Sequence, residues 1–339
     1  MSAVPLAEAT APPERRGIAR DAVRLLVGRP GGVEHAVFRD LPRLLDPGDL
    51  LVVNTSATLP AALDAVAPGG RRLRMHLSTP APGSEPADGL WMVELRVPAG
   101  PGSLPFAAAR RGWRLGLAGG GRARLLRGGP RLWQARLELP VGLHEHLEAH
   151  GRPIRYSYAG ADWPIDDYQT VFATVPGSAE MPSAARAFSP ELVVELVAAG
   201  VEIAPIVLHT GVSSPETGEP PFPEWFRVPA PTARHVNAVR AGGGRVVAVG
   251  TTAVRALETA AAEDGTVAAG EGWTELVIDE RRGAHAVDGL LTGWHAPEAT
   301  HIDLVRAVAG RDIVERCYAA ATAARYLWHE FGDLNLLLP

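Results

Sequence analysis

The sequence predicts an α/β fold: a mixed-sheet α/β domain into which an antiparallel β-barrel is inserted. Three observations carry this prediction. An apolar strand at 50–53, "LLVV", is followed from Arg71 to Leu139 by short segments of alternating polarity, and beyond about residue 165 apolar strands alternate with helical patterns. A chain of 339 residues, 46% apolar and 21% charged, has room for one large domain or two medium ones. The boundaries drawn from these textures are a mobile N-terminal tail at 1–16, a discontinuous α/β domain at 17–64 and 165–339, and an inserted barrel with its return linker at 65–164.

Each element follows from its own residues. Leu50 to Val53 read as a buried strand ended by the turn-former Asn54. After "APGG" at 67–70 come "RRLRMHLS", "LWMVELRV", "WRLGLA", "RARLLR" and "RLWQARLEL", separated by Gly/Pro-rich turns, which is the spacing of an antiparallel sheet closing on itself. The stretch "DDYQTVFATVPGSAEMPSAARAFSPELV" at 166–193 opens polar, crosses a short apolar strand, turns at Pro176 and Gly177, and enters a helix through Ser189. Ser189 suits the cap of that helix, Pro190 its first turn and Gly200 its left-handed end. The remainder alternates: "VEIAPIVLH" strand, "PTARHVNAVRAGG" helix, "RVVAVG" strand, "TTAVRALETAAAE" helix, "TELVI" strand, then helices over "THIDLVRAVAG" and "DIVERCYAAATAARYLWHEF".

Composition narrows the function classes. All 33 basic residues are Arg, and the formal charge of −5 excludes a uniformly basic nucleic-acid-binding surface while allowing a local phosphate-holding patch. A tRNA partner is therefore allowed but not indicated by charge. Cys317 stands alone, so no intramolecular disulfide and no cysteine-cluster zinc site is expected. No exported leader and no run of about 20 apolar residues is read in the chain, which points to a cytoplasmic protein with no membrane partner, taken as a monomer.

The most informative local piece is "RVVAVGTTAVRALETAA" at 245–261, where a buried strand runs through Gly250 into a helix capped by Thr251. Backbone N–H groups, the hydroxyls of Thr251 and Thr252, and Arg255 one turn in would hold a carboxylate, phosphate or ribose hydroxyl there. The plainer reading is an ordinary capped helix with a surface pair between Arg255 and Glu258.

Taken in order, "GDLLVVN" with Pro60, "DDYQTVFATVPGSAEMPSAARAF", "GVEIAPIVLHTGV", "GGRVVAVGTTAVRALETAA", "GWTELVI", "VDGLLTGWHAPEATHIDLVRAVAG" and "FGDLNLLL" resemble the S-adenosylmethionine:tRNA ribosyltransferase-isomerases of queuosine biosynthesis. The resemblance covers nearly all of the chain after about residue 17. It implies an α/β domain plus a β-barrel, and an enzyme, a transferase and isomerase, for which S-adenosylmethionine is a co-substrate donating its ribosyl part. The family acceptor is the aminomethyl group of a 7-deazaguanine in tRNA; adenine and methionine are released, and no metal is implied.

That chemistry needs a base for the ribose C–H that the sulfonium acidifies, a proton donor for adenine and an anchor for the methionine carboxylate. Thr251, Thr252 and Arg255 are the anchor candidates, with Glu258 beside them. His209 and His295, where loops leave apolar elements, are either proton-transfer groups or structural histidines. Ser183 is the hydroxyl retained in its motif. Asp288 and Thr292 either bind ribose or shape a turn, and Tyr168 and Gln169 either contact a base or join the two domains. Asn54, Pro182, Ala184 and Gly211 complete the substrate-facing positions that the resemblance implies.

Departures from the family pattern concentrate in the same loops. Ala187 stands where the family has a histidine, Asn54, Thr55, Ser56 and Ala57 replace N-D-T-R, Ala62 replaces a further arginine, "RPIRYSYAGADWP" replaces a proline-rich segment, and "VSSPETGEPPFPEWF" replaces a histidine-containing one. They suggest a divergent paralogue that transfers the ribosyl part, with its acceptor left open. A catalytically inert protein binding S-adenosylmethionine or a related nucleoside is the alternative, and a structural protein with an empty cleft is a third.

Overall fold

The computed structural model describes residues 7–99, 102–129, 131–156, 158–212, 221–295 and 301–339. Two sheets dominate. The larger has nine strands in the order Gly270–Thr274, Glu224–Val228, Glu202–Leu208, Leu50–Asn54, Val246–Val249, Gly289–Gly293, Leu334–Leu337, Arg24–Arg29 and Gly32–Val37. The four central strands, from Glu202–Leu208 to Gly289–Gly293, are parallel, and antiparallel pairs flank them, so the sheet is mixed. Leu50 to Val53 are at most 1% exposed, as a strand covered on both faces requires.

Helices Ala230–Ala241, Thr251–Ala260, His301–Ala309 and Arg311–Ala323 contribute to the core on one face, and Pro190–Ala198 with the short Leu41–Leu44 to that on the other. Ser189 caps its helix by accepting from the Leu192 N–H at 3.2 Å, and Gly200 follows it at φ +83°. Strands Ala62–Val66, Arg72–Pro80, Leu90–Ala99, Leu132–Glu138, Arg122–Gly128 and Arg114–Leu117 close a six-stranded antiparallel barrel, with Gly102–Pro105 paired outside the ring. Its core holds Leu63, Met75, Leu77, Val93, Leu125 and Ala135.

Several expectations are corrected. Residues 7–16 are no mobile tail: Ala7–Glu8 pairs in parallel with Leu327–Trp328, Glu14 binds Arg186, and Arg16 donates to the Phe331 carbonyl at 2.8 Å. Residues 1–6 lie outside the described residues. Asn54 does end its strand, but as its last residue, fully buried, and not as a turn residue beyond it. The strand expected over "TELVI" is instead Gly270–Thr274, because its partner Glu224–Val228 pairs in that register. The last helix stops at Ala323, and "LW" within the expected helix is a strand because Ala7–Glu8 is there to receive it. The strand near Pro176 runs through Val175–Ser178 instead of turning there; it pairs with Ser56–Thr58, where a proline costs no shared hydrogen bond in a two-stranded ribbon.

Candidate active site

The four parallel strands end together at the carboxyl edge, beyond which α/β sheets bind their ligands in a crevice. Asn54, His209, Gly250 and Thr292 mark that edge. His209 leaves strand Glu202–Leu208 and His295 follows strand Gly289–Gly293; three interstrand spacings, roughly 14 Å, separate those strands. The two histidines therefore leave the sheet from different strands, with the ends of Leu50–Asn54 and Val246–Val249 between them.

His209 sits in a hydroxyl relay. Its Nδ1 is 2.7 Å from Ser56 Oγ, Ser56 Oγ is 2.6 Å from Ser178 Oγ, and Ser178 accepts from the Thr210 N–H at 3.0 Å. The ring stacks on Trp225 at 5.3 Å and 20°. Gly177 makes room for it, since a Cβ there would lie 2.4 Å from His209 Cε1. Burial, then Arg227, pushes its pKa down to about 4, so it is a neutral imidazole near pH 7.

Helix Thr251–Ala260 begins differently from the expectation. Its cap position is Gly250, at φ +90°, with no side-chain cap, and the Thr251 hydroxyl is not the capping group. The turn Ser183–Ala185 lies over it: a Cβ on Gly250 would meet Ala184 Cβ at 3.4 Å. The helix start and its positive dipole end thus face the crevice beside Ser183. Pro182 and Ala184 are buried, and Ala187, in place of a histidine, packs in the core with Val249 and Leu291. Asn54 locks the edge: its amide donates to the Leu208 carbonyl at 2.8 Å and to Thr252 Oγ1 at 3.3 Å, and its oxygen accepts from the Ser56 and Leu208 N–H groups, each at 3.0 Å.

At the far end Thr292 Oγ1 is 3.0 Å from His295 Nε2, and the His295 ring stacks on His301 at 5.0 Å and 6°. Burial, then His301, holds His295 down to about 3. Residues 296–300 of the segment that follows lie outside the described residues.

Other expected site residues are engaged elsewhere, for physical reasons. Arg255 is not free to anchor a carboxylate: it pairs with Glu224 and donates to the Thr274 carbonyl at 3.2 Å, and Glu224 is in turn fixed by the Gly211 N–H at 2.9 Å. Nor does Arg255 pair with Glu258, which is buried and binds Arg282 at 2.7 Å and the N–H groups of His285 and Ala286. Asp288 lies at the opposite, amino end of the strands, accepting from the Val246 N–H at 2.9 Å and lining a groove of about 530 Å³ with Arg240 and Asp264. That groove holds none of the other candidates. Gln169 exchanges two hydrogen bonds with the Thr58 backbone, at 3.0 and 2.9 Å, and Tyr168 is 2% exposed, edge-on to Phe331. Gly211 touches the barrel, where a Cβ would meet Ser78 Oγ at 2.6 Å.

Sequence reasoning did not single out Ser178, Trp225 or Glu224, nor Ser56 as a relay hydroxyl; each gains its role only from a partner distant in the chain. Much of the segment around 213–220 lies outside the described residues. Among the described residues no group of three or more His, Cys, Asp or Glu could hold a metal ion, and no helix is long and apolar enough to cross a membrane.

Comparison with known proteins agrees with this architecture. A family profile described as "Queuosine biosynthesis protein" matches residues 5–337. The chain is 38% identical to S-adenosylmethionine:tRNA ribosyltransferase-isomerase of Symbiobacterium thermophilum, covering 94% of both chains. It is 39% identical to that of Moorella thermoacetica, again over 94% of each. The crystal structure of S-adenosylmethionine tRNA ribosyltransferase from Thermotoga maritima matches with a TM-score of 0.52 at 29% identity, over 98% of this chain and 96% of that one.

Proposed function

The chain belongs to the queuosine biosynthesis protein family, and we propose that it transfers the ribosyl part of S-adenosylmethionine to a base in tRNA, isomerises it, and releases adenine and methionine. The observation that carries this reading is what gathers at the carboxyl edge: a neutral imidazole hydrogen-bonded to paired hydroxyls, a helix start with no side-chain cap, and a second imidazole beside Thr292.

In this reading the unpaired N–H groups at Thr251 and Thr252 take the methionine carboxylate, replacing the anchor expected of Arg255. His209, neutral at physiological pH, removes the acidified ribose proton and becomes the imidazolium, its ring held in place by the hydrogen bond to Ser56 and through it Ser178. Thr292, His295 and Ser183 bond the ribose and adenine. The acceptor base is the aminomethyl-deazaguanine that the family resemblance implies.

The deciding experiment incubates the protein with S-adenosylmethionine, with and without tRNA carrying that base, and measures adenine and methionine by mass spectrometry. Release that requires the tRNA is expected. Binding of S-adenosylmethionine without release would replace this reading by an inert nucleoside-binding protein.

A further inference from the structure

Beside the crevice, between the barrel and residues 329–331, lies a set of polar side chains that the reaction above does not employ. The Tyr156 hydroxyl donates to a Glu180 carboxylate oxygen, and Tyr158 and Glu180 both act on the Glu330 carboxyl. Tyr156 and Tyr158 stack at 6.0 Å and 24°, and Tyr158 lies flat on His329 at 4.1 Å and 9°. Glu180 is tied to the crevice, because its carbonyl accepts from Thr210 Oγ1 at 2.5 Å, one residue beyond His209.

Three observations set this cluster apart. Glu330 Oε2 is shut off from solvent and has no hydrogen-bond partner among the described residues, an arrangement that is costly unless a ligand satisfies it. No ion pair to Glu330 occurs among the described residues, whereas buried Glu94, whose Oε2 is likewise unbonded, has its other oxygen paired with Arg96 at 2.7 Å and Arg131 at 3.0 Å. His329 is held at φ +74°, a left-handed backbone that a non-glycine residue adopts at a cost of order 1 kcal/mol or more; such strain gathers at ligand clamps. Burial, then Glu180, also raises the Glu330 carboxyl to about 8.

We propose that Glu330, with Glu180 and the stack of Tyr156, Tyr158 and His329, forms a pocket for a planar ring bearing a primary ammonium group. The cation supplies the donors that Glu330 Oε2 lacks, and the flat aromatic face supplies stacking and cation–π attraction. The proposal rests on the reading of the acceptor as an amine-bearing base, and it assigns that base to this pocket. S-adenosylmethionine also carries an ammonium group, so the donor is the competing source.

The test uses the full chain with Glu330→Gln and Glu180→Gln, which keep side-chain shape, and Tyr158→Phe, which keeps the ring. Calorimetry follows two ligands: free 7-aminomethyl-7-deazaguanine and S-adenosylmethionine. Each Gln variant is expected to weaken the free base by about 10-fold or more, the usual size of a lost charge-assisted hydrogen bond, with S-adenosylmethionine affinity unchanged within about 2-fold. Wild-type protein that does not bind the free base, or a loss confined to S-adenosylmethionine, overturns the proposal. If tRNA-dependent adenine release persists in that case, the function stands and only this pocket falls; if release is absent while the base still binds through Glu330, the pocket stands and the reaction falls.

Discussion

The edge of the mixed sheet and the pocket beside it use polar side chains in opposite ways. At the edge, Asn54, Gln169 and Arg255 spend their hydrogen-bonding capacity on other parts of the chain, as Glu258 does farther along the helix. In the proposed pocket, Glu330 keeps an oxygen shut off from water with no hydrogen-bond partner among the described residues. The difference teaches that a polar residue near a crevice is a poor guide to ligand contact until its partners are counted, since a saturated group has nothing left to offer a ligand.

The sharpest way to break this contrast is Arg255→Ala. If Arg255 belongs to the frame, its removal strands Glu224, which burial already pushes upward in pKa, and should cost about 3–5 kcal/mol in urea unfolding. S-adenosylmethionine affinity of the folded protein should hardly change; a large loss of affinity without loss of stability would return Arg255 to the ligand site. Next in size, Gly177→Ala places a methyl group where His209 lies and should displace its ring from Ser56. The expected loss in kcat is on the order of 100-fold, and in the wild type kcat/KM should fall as pH drops through about 4, where His209 takes up a proton.

The smallest effect concerns the pocket. The folded-state pKa of Glu330 is raised to about 8, above the value near 4.5 of an exposed glutamate, so the folded protein holds a proton that the unfolded chain has lost between those values. Stability should therefore decline as pH rises from about 4.5 to about 8, by on the order of 2 kcal/mol after partial solvent screening, with Glu180 and Tyr158 facing the same carboxyl. Glu330→Gln should flatten that dependence in thermal melts followed across pH; an unchanged slope would mean the carboxyl is ionised in the native state.

Much of the fold was legible because its signals are local. Alternation along 72–80, 90–99 and 132–138 announces half-buried strands, and Ser189, Pro190 and Gly200 mark a helix whatever surrounds it. What was missed depends on a remote partner. "LW" at 327–328 is a strand only because Ala7–Glu8 lies beside it, and Asn54 stays in its strand because Leu208 and Thr252 claim its amide. The site divides similarly: His209, Thr251, Thr252, Thr292 and His295 were visible as polar residues at the ends of apolar strands. The relay of Ser56 and Ser178 and the pocket of Tyr156, Tyr158, Glu180 and Glu330 were not, since each gathers residues from segments with no common pattern.

Strand Leu334–Leu337 sits inside the nine-stranded sheet, and hairpin 24–37 reaches that sheet only through it. Arg24 and Asp333, joined at 2.7 Å, are 309 positions apart. During synthesis on the ribosome, the early hairpin must therefore wait, its inner edge unpaired, until a segment made roughly 300 residues later arrives to seat it. A nascent chain of this protein cannot complete its sheet stepwise, and an escort that shields exposed strand edges would do most good over that interval.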